Sequence, residues 1–159
     1  MFGSNYEVSK AQKKFFEDFE NQYGKKVEKV EFAQLKADNN TFRLLDLTPY
    51  LGENTLSGLL VFCTKALYFH SFPHEGYMGI VKKELYENPD NVSQCICISD
   101  LKDIKAEFPK QSKFSFLFPE QSHNISFSAQ GPSSTIYFTL EFLKKAEAVY
   151  EEIKKTLNS

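Results

Sequence analysis

The sequence contains no tryptophan and only one arginine, Arg43, against 18 lysines. Proteins that bind nucleic acids usually carry a basic face, in which arginine contacts bases and phosphates. This chain has a formal net charge of −2 and no dense basic run. Nucleic acid is therefore not expected as a partner.

Long apolar runs are also absent, because none reaches the roughly 20 residues that a helix needs to cross a bilayer. The start, Met1–Val8, lacks the basic stretch followed by an apolar one that marks a signal peptide. Cys63, Cys95 and Cys97 stand in apolar, strand-like contexts, which is typical of reduced thiols buried in a cytosolic protein. The expected localisation is cytoplasmic.

Familiar catalytic motifs are missing as well. The sequence has no Gly-x-Ser-x-Gly elbow, no P-loop and no glycine-rich dinucleotide turn. His70, His74 and Glu75 are close in sequence, but a strand that holds His70 and ends at Pro73 would not place them on one face. No catalytic residue and no cofactor are predicted.

Two of the cysteines, Cys95 and Cys97, are two residues apart and would lie on the same face of a strand. A zinc site usually needs four ligands, and Cys63 and His70 would complete one only if the fold brought them close. Free cysteine is among the residue types most often buried. The pattern therefore favours core cysteines, and no metal site is predicted.

Aromatic residues, in contrast, are abundant: 16 Phe and 8 Tyr in 159 residues. Apolar residues make up 42% and charged residues 25%, which is close to the usual mixture in globular proteins. The length is enough for one domain with a real core. Because aromatic rings pack well on a pleated surface, the composition indicates a sheet-rich core.

A helix is predicted over 9–23. Ser9 with Gln12 matches a capping box, and Gly24 stands where a left-handed cap is favoured. This helix either packs against the domain or presents its apolar stripe to a partner, and packing is favoured because exposed apolar stripes are rare in monomers. The stripe consists of Ala11, Phe15, Phe16, Phe19 and Tyr23.

Apolar or alternating segments between turn signals predict a series of short strands. The segment 26–37 fits neither the helical nor the strand period, and Asn39-Asn40 indicates a turn. Thr64-Lys65 must form a tight hairpin turn, although hairpin turns do not favour this pair. Strands are predicted at 42–47, 56–64, 66–72, 92–98, 104–108, 113–118, 125–129 and 135–138, with a short strand near 78–81.

The chain ends in a predicted amphipathic helix over 140–157. Glu151 and Lys155 form a favourable i,i+4 pair on its polar face. The helix should be part of the core, because burial of its apolar face would contribute a large share of a typical domain's stability. That face consists of Leu140, Leu143, Ala146, Val149, Tyr150, Ile153 and Leu157.

The order of these features resembles the pleckstrin-homology-like superfold, and most of all its GRAM and bacterial PH-like branches. In those families a strand that begins with Gly turns at Thr or Asn plus a basic residue, and an aromatic strand follows. Here the segment Gly58–Lys65 is followed by Leu67–Phe69. The segment Ile96–Ile104 matches the next element, and Tyr137-Phe138 leads into the final helix. The resemblance covers roughly residues 30–157.

This resemblance implies an α+β fold that is mainly β. The expected architecture is a seven-stranded, strongly bent antiparallel barrel or sandwich, capped by the C-terminal amphipathic helix. The chain would divide into an N-terminal helical extension, 1–29, packed on the domain, and a PH-like domain, 30–159. Domains of this kind often bind a protein or peptide along a sheet edge or beside the C-terminal helix. The expected function is therefore a non-catalytic interaction module with a protein or peptide partner.

Two other functions stay open. PH domains that bind phosphoinositides tend to carry converging basic residues at the first hairpin, and this chain lacks them. Lys82, Lys83, Lys110 and Lys113 could form a weak rim for an anionic membrane, although solvated loop lysines are commoner. A small-ligand carrier or an unrecognised enzyme would use a pocket among the aromatic side chains.

Overall fold

The computed structural model describes residues 4–49, 54–71, 94–108, 123–143 and 146–158, with side chains described from residue 13 onward. Seven strands, three α-helices and one 3-10 turn occur in these ranges. Along the chain they are α1 (Ser4–Tyr23), β1 (Val27–Lys36), α2 (Asn39–Leu44), β2 (Thr55–Cys63), β3 (Ala66–Ser71), β4 (Cys95–Cys97), a 3-10 turn (Ile98–Asp100), β5 (Lys105–Glu107), β6 (Asn124–Gln130), β7 (Thr135–Phe142) and α3 (Glu147–Leu157).

All seven strands pair antiparallel in one sheet, in the order β4-β3-β2-β1-β7-β6-β5. The predicted α+β class, with seven antiparallel strands and a helix from each terminus packed on the sheet, is confirmed. The expected barrel is not seen in the described residues. Closure would need β4 to pair with β5, but across the described ranges each of these three-residue strands pairs only with its other neighbour, so the described sheet is not closed.

The sheet carries a hydrophobic cluster on each face. Strands β2 and β3 contribute to both clusters, which is why their sequences are almost continuously apolar. We call the cluster that contains Leu60 and Phe62 of β2 the inner cluster. The cluster on the other face, which contains Leu59, Val61 and Cys63 of β2, is the outer cluster. Helix α3 closes the inner cluster and α1 covers the outer cluster.

The hairpin of β2 and β3 is unusually close at Gly58. A Cβ atom at this position would lie 2.3 Å from the backbone oxygen of His70 and 2.8 Å from Cα of Ser71. Neither neighbour is a flexible side-chain end that could move aside. The glycine that begins the motif Gly58–Lys65 is therefore required by the approach of two strands.

Helix α1 begins earlier than predicted. It starts at Ser4, so Ser9 lies within the helix and the predicted capping box is wrong. The predicted packing is confirmed, because Phe15 and Phe19 are buried against the sheet. Gly24 ends the helix in the left-handed region, with φ of +69°, and its N–H donates to the Glu20 carbonyl at 2.8 Å.

The strand predicted at 42–47 is wrong, because α2 occupies the first half of that segment and a turn follows at 45–46. The Asp38 side chain caps this helix by accepting a hydrogen bond from the Thr41 N–H at 2.7 Å. Asn39-Asn40, interpreted as a turn, is the first turn of the helix. Asp46 ends the segment in the left-handed region, and Phe42 is buried in the inner cluster.

The end of the chain also differs from the prediction. Strand β7 continues to Phe142, so Leu140 is buried as a strand residue and α3 starts only at Glu147. Leu143, which was placed on the apolar helix face, is 68% exposed. Ala146, Val149 and Ile153 are buried as predicted.

The remaining strand predictions are confirmed in part. Strands β2, β3 and β6 match their predicted segments within two residues, whereas β4 and β5 are shorter than predicted. The ambiguous segment 26–37 contains β1. The strands predicted near 78–81 and at 113–118 lie outside the described residues. No helix in the described ranges is long and apolar enough to cross a membrane.

Candidate functional site

One edge of the sheet is open in the described part of the chain. Strand β5 is the last strand in the order, and its described backbone pairs only with β6, from Lys105 opposite Ser128 to Glu107 opposite Ser126. The side chains of Lys105 and Glu107 are exposed, and Ala106 between them is half-buried. We call the unpaired side of β5 the open edge.

The opposite edge of the sheet is β4, whose described backbone pairs with β3 alone. The Gln94 side chain joins the start of this strand to the loop after α2, since its Oε1 accepts from the Thr48 N–H at 2.6 Å and its Nε2 donates to the Thr48 carbonyl at 3.0 Å. Tyr23 of α1 and Cys95 of β4 both pack against the outer cluster.

Helix α3 packs beside the open edge. The ring of Tyr150 lies 5.7 Å from the ring of Phe108, centroid to centroid, directly after β5. The Lys154 ammonium lies 4.9 Å above the Tyr150 ring and 3.6 Å from the Glu151 carboxylate. Glu151 therefore pairs with Lys154 rather than with the predicted partner, Lys155.

A cavity of about 520 Å³ lies at the N-terminal end of β5, and we call it the edge pocket. Its lining is mainly polar and comes from the turn before β5, from β6 and from β7. The lining residues are Asp103, Ile104, Lys105, Ser128, Ala129, Gln130 and Thr135. This cavity is large enough to hold a side chain of a strand laid along the edge.

A second cavity, of about 500 Å³, lies between the β2–β3 turn, the start of β1 and the last turn of α3. We call it the hairpin pocket. Five charged residues line it together with two apolar residues and two hydroxyl residues. The charged residues are Glu28, Lys29, Lys65, Glu152 and Lys155, and the others are Phe62, Cys63, Thr64 and Thr156.

Lys29 forms two ion pairs and a ring contact in the hairpin pocket. Its Nζ lies 2.7 Å from Oε1 of Glu152, 3.1 Å from Oε1 of Glu31 and 5.5 Å from the centroid of the Phe62 ring. Burial lowers the pKa of Lys29, but the hydrogen bonds to Glu152 and Glu31 outweigh it, so the pKa is raised overall. Lys29 therefore stays charged and is already neutralised within the chain.

The three free thiols lie together in the outer cluster, beneath α1. Burial raises the pKa of Cys63 to about 12 and that of Cys95 to about 11. Burial, and then Cys97, raise the pKa of Tyr68, which lies opposite Cys97 across the strands, to about 12. Because a nucleophilic thiol must ionise, Cys63 and Cys95 are poorly suited to attack a substrate.

His70 belongs to the same cluster. Its ring contacts Phe15 edge-on at 5.2 Å, and its buried Nδ1 has no hydrogen-bond partner. Burial lowers the pKa of His70 to about 4, so the ring is neutral at neutral pH. His74 and Glu75, the other members of the predicted cluster, lie outside the described residues.

The fold brings Cys63, Cys95, Cys97 and His70 to one face of the sheet, as a zinc site would require. Within the described ranges, however, no three His, Cys, Asp or Glu side chains are placed to hold a metal ion. The predicted membrane rim cannot be placed, because Lys82, Lys83, Lys110 and Lys113 all lie outside the described residues.

Sequence reasoning missed both cavities. The unusual choice of Lys65 in a tight turn was the only signal for the hairpin pocket. No protein-family model matches the chain, and no curated protein matches it either. The strand order and the terminal helix are compatible with the PH-like resemblance without being diagnostic of it, so the resemblance stays a prediction.

Proposed function

We propose that this chain is a non-catalytic interaction module that binds an extended peptide segment of a protein partner along the open edge. The observation that carries the proposal is the position of β5, which ends the sheet with its described backbone paired on one side only. A peptide strand can add to such an edge through backbone hydrogen bonds, which supply affinity whatever the sequence of the peptide.

The surroundings of the open edge favour a particular kind of peptide. At one end of β5 the edge pocket offers a polar cavity, and at the other end Phe108 and Tyr150 offer ring surface. The exposed charges of Lys105 and Glu107 would attract an acidic and a basic residue, two positions apart. The proposed ligand is therefore an extended segment with alternating charge and a polar side chain for the edge pocket.

A displayed library of random peptides, selected against the whole protein, tests this proposal. A selected peptide is then titrated into ¹⁵N-labelled protein, followed by NMR and by amide hydrogen exchange. We expect shift changes at Lys105–Phe108 and Tyr150, and slower amide exchange within β5. A library that yields no binder, or binders that perturb only other elements, would contradict the proposal.

Charge reversal provides the matched variants. Lys105→Glu and Glu107→Lys should each lower the affinity for a selected peptide about fivefold or more, since each replaces an attraction with a repulsion. Both residues are exposed, so the fold should tolerate the changes. Lys14→Glu, on the exposed side of α1, is the control and should leave the affinity unchanged.

A further inference from the structure

The hairpin pocket has the dimensions of a small-molecule site. Its volume of about 500 Å³ falls within the range of roughly 300–1,000 Å³ that is common for such sites. Phe62 and Cys63 border it but are buried, at 3% and 2% exposure, so its apolar surface comes mainly from the aliphatic stems of the charged side chains, and Thr64 and Thr156 line it as well. It shares no lining residue with the edge pocket, so the inference drawn from it does not rest on peptide binding.

Some of the charged side chains that line this pocket have partners among the described residues, and others do not. Lys29 is neutralised by Glu31 and Glu152, and Glu28 accepts a hydrogen bond from the Thr64 hydroxyl at 3.2 Å. Lys65 and Lys155 are exposed, and neither forms an ion pair with a described residue. Two lysines without a counter-charge among the described residues therefore line one cavity.

The backbone on the β1 and hairpin sides of the pocket is irregular. The pairing of β1 with β2 shifts register between Val27 and Lys29, which leaves Glu28 without a partner across the ladder. Lys65 has a φ of +60°, a conformation that glycine adopts with less strain than any residue with a Cβ. A lysine is thus held in a turn where backbone geometry alone would favour glycine.

Strained residues of this kind often lie at binding sites, because the side chain is needed there. We propose that the hairpin pocket binds a small ligand with one phosphate or carboxylate group, held by Lys65 and Lys155. Lysine binds such a group as a point charge and does not need the paired geometry of arginine. Glu28 and Glu152 disfavour polyanions, and the aliphatic stems of the lining lysines offer an apolar contact for the rest of the ligand.

Titration of the ¹⁵N-labelled full chain with inorganic phosphate and with phenyl phosphate, at fixed ionic strength, tests the proposal. We expect saturable shift changes at the amides of Thr64, Lys65, Lys155 and Thr156. Phenyl phosphate should bind more tightly than inorganic phosphate, because its ring can contact the aliphatic stems of the lining lysines. No saturable shift with either probe, or shifts confined to other elements, would overturn the proposal.

Two variants separate binding from folding. Lys65→Gly removes the charge while suiting the left-handed backbone, and Lys155→Gln removes the charge from an exposed helix position. Each should weaken the binding of phenyl phosphate about tenfold. The far-ultraviolet circular dichroism spectrum and the melting curve should remain those of a folded protein. Lys14→Gln is the control for loss of one surface charge and should not change the affinity. Unchanged affinity in Lys65→Gly would refute the site.

The same chemistry could reach the pocket from a lipid headgroup. Co-sedimentation with vesicles that contain phosphatidic acid, a lipid with a terminal phosphate, distinguishes this source. Vesicle binding that requires Lys65 and Lys155 would assign the anion to a membrane lipid. Binding of phenyl phosphate without vesicle binding would assign it to a soluble molecule.

Discussion

His70 illustrates how one buried polar residue can make the stability of the fold depend on pH. The sheet and α1 surround its ring, and its Nδ1 is buried without a hydrogen-bond partner. Burial lowers its pKa from 6.5 to about 4. The folded state therefore binds a proton on His70 more weakly than the unfolded state does, so folding favours the neutral ring.

We expect the free energy of unfolding to fall as the pH is lowered from 6.5 towards 4. The contribution of His70 is fully present above pH 6.5, and on the order of 2 kcal/mol is lost by pH 5. His70→Leu removes both the titration and the unpaired nitrogen, so it should reduce this loss. Urea unfolding of both proteins at several pH values measures the difference. Parallel pH profiles for the two proteins would show that His70 is not the cause.

At the scale of the element, the sequence predicts well those helices and strands whose faces keep the same burial along their length. Helix α1 and most of α3 have one apolar face each, and β2 and β3 are apolar on both faces. Strand β1 has no clean period, because its middle residues are half-buried whichever face they point to. Helix α2 was missed because Phe42–Leu47 is apolar enough for a strand, and only the cap at Asp38 distinguishes it.

The candidate sites were harder to predict than the elements. The resemblance indicated an edge or a groove beside the final helix, but not which edge was open. That depends on the strand order, which places β5 at the end of the sheet and leaves no local pattern in the sequence. The hairpin pocket joins Lys65 to Lys155, which are far apart in the chain. They meet only through the packing of α3 beside the β2–β3 turn, which the sequence does not show.

Helix α3 provides the prediction at this scale. Val149 is 1% exposed in the inner cluster, so Val149→Asp would bury a carboxylate among apolar side chains and should unfold the protein. Ala148→Asp places the same charge one residue earlier, on the exposed side, and should remain folded. Thermal unfolding followed by circular dichroism compares the two. A cooperative melt of Val149→Asp at the wild-type temperature would refute the placement of α3.

At the scale of the whole molecule, the sheet separates two apolar clusters that share β2 and β3. The inner cluster draws on most of the strands and on α3, whereas α1 holds the outer one with four aromatic residues. Loss of α1 would leave the inner cluster intact. We therefore expect α1 to detach from the sheet more readily than the domain unfolds, since cooperative units open locally at less than the global free energy.

Labelling of Cys63 with a thiol reagent can detect this detachment. Cys63 is 2% exposed beneath α1, and burial raises its pKa to about 12, so it should react only when the helix lifts. Phe19, 3% exposed, packs edge-on against Tyr68 at 5.2 Å between ring centroids. Phe19→Ala should weaken the docking of α1 by about 3 kcal/mol and accelerate labelling about 100-fold.

Phe127→Ala is the matched variant, because Phe127 lies in the inner cluster, stacked on Phe138 at 4.9 Å. It should lower global stability by a similar amount while accelerating the labelling of Cys63 much less. Mass spectrometry of proteolytic fragments distinguishes Cys63 from the half-buried Cys95 and Cys97. Equal acceleration in the two variants would mean that α1 and the sheet open as one unit, because Cys63 would then become accessible only through global unfolding.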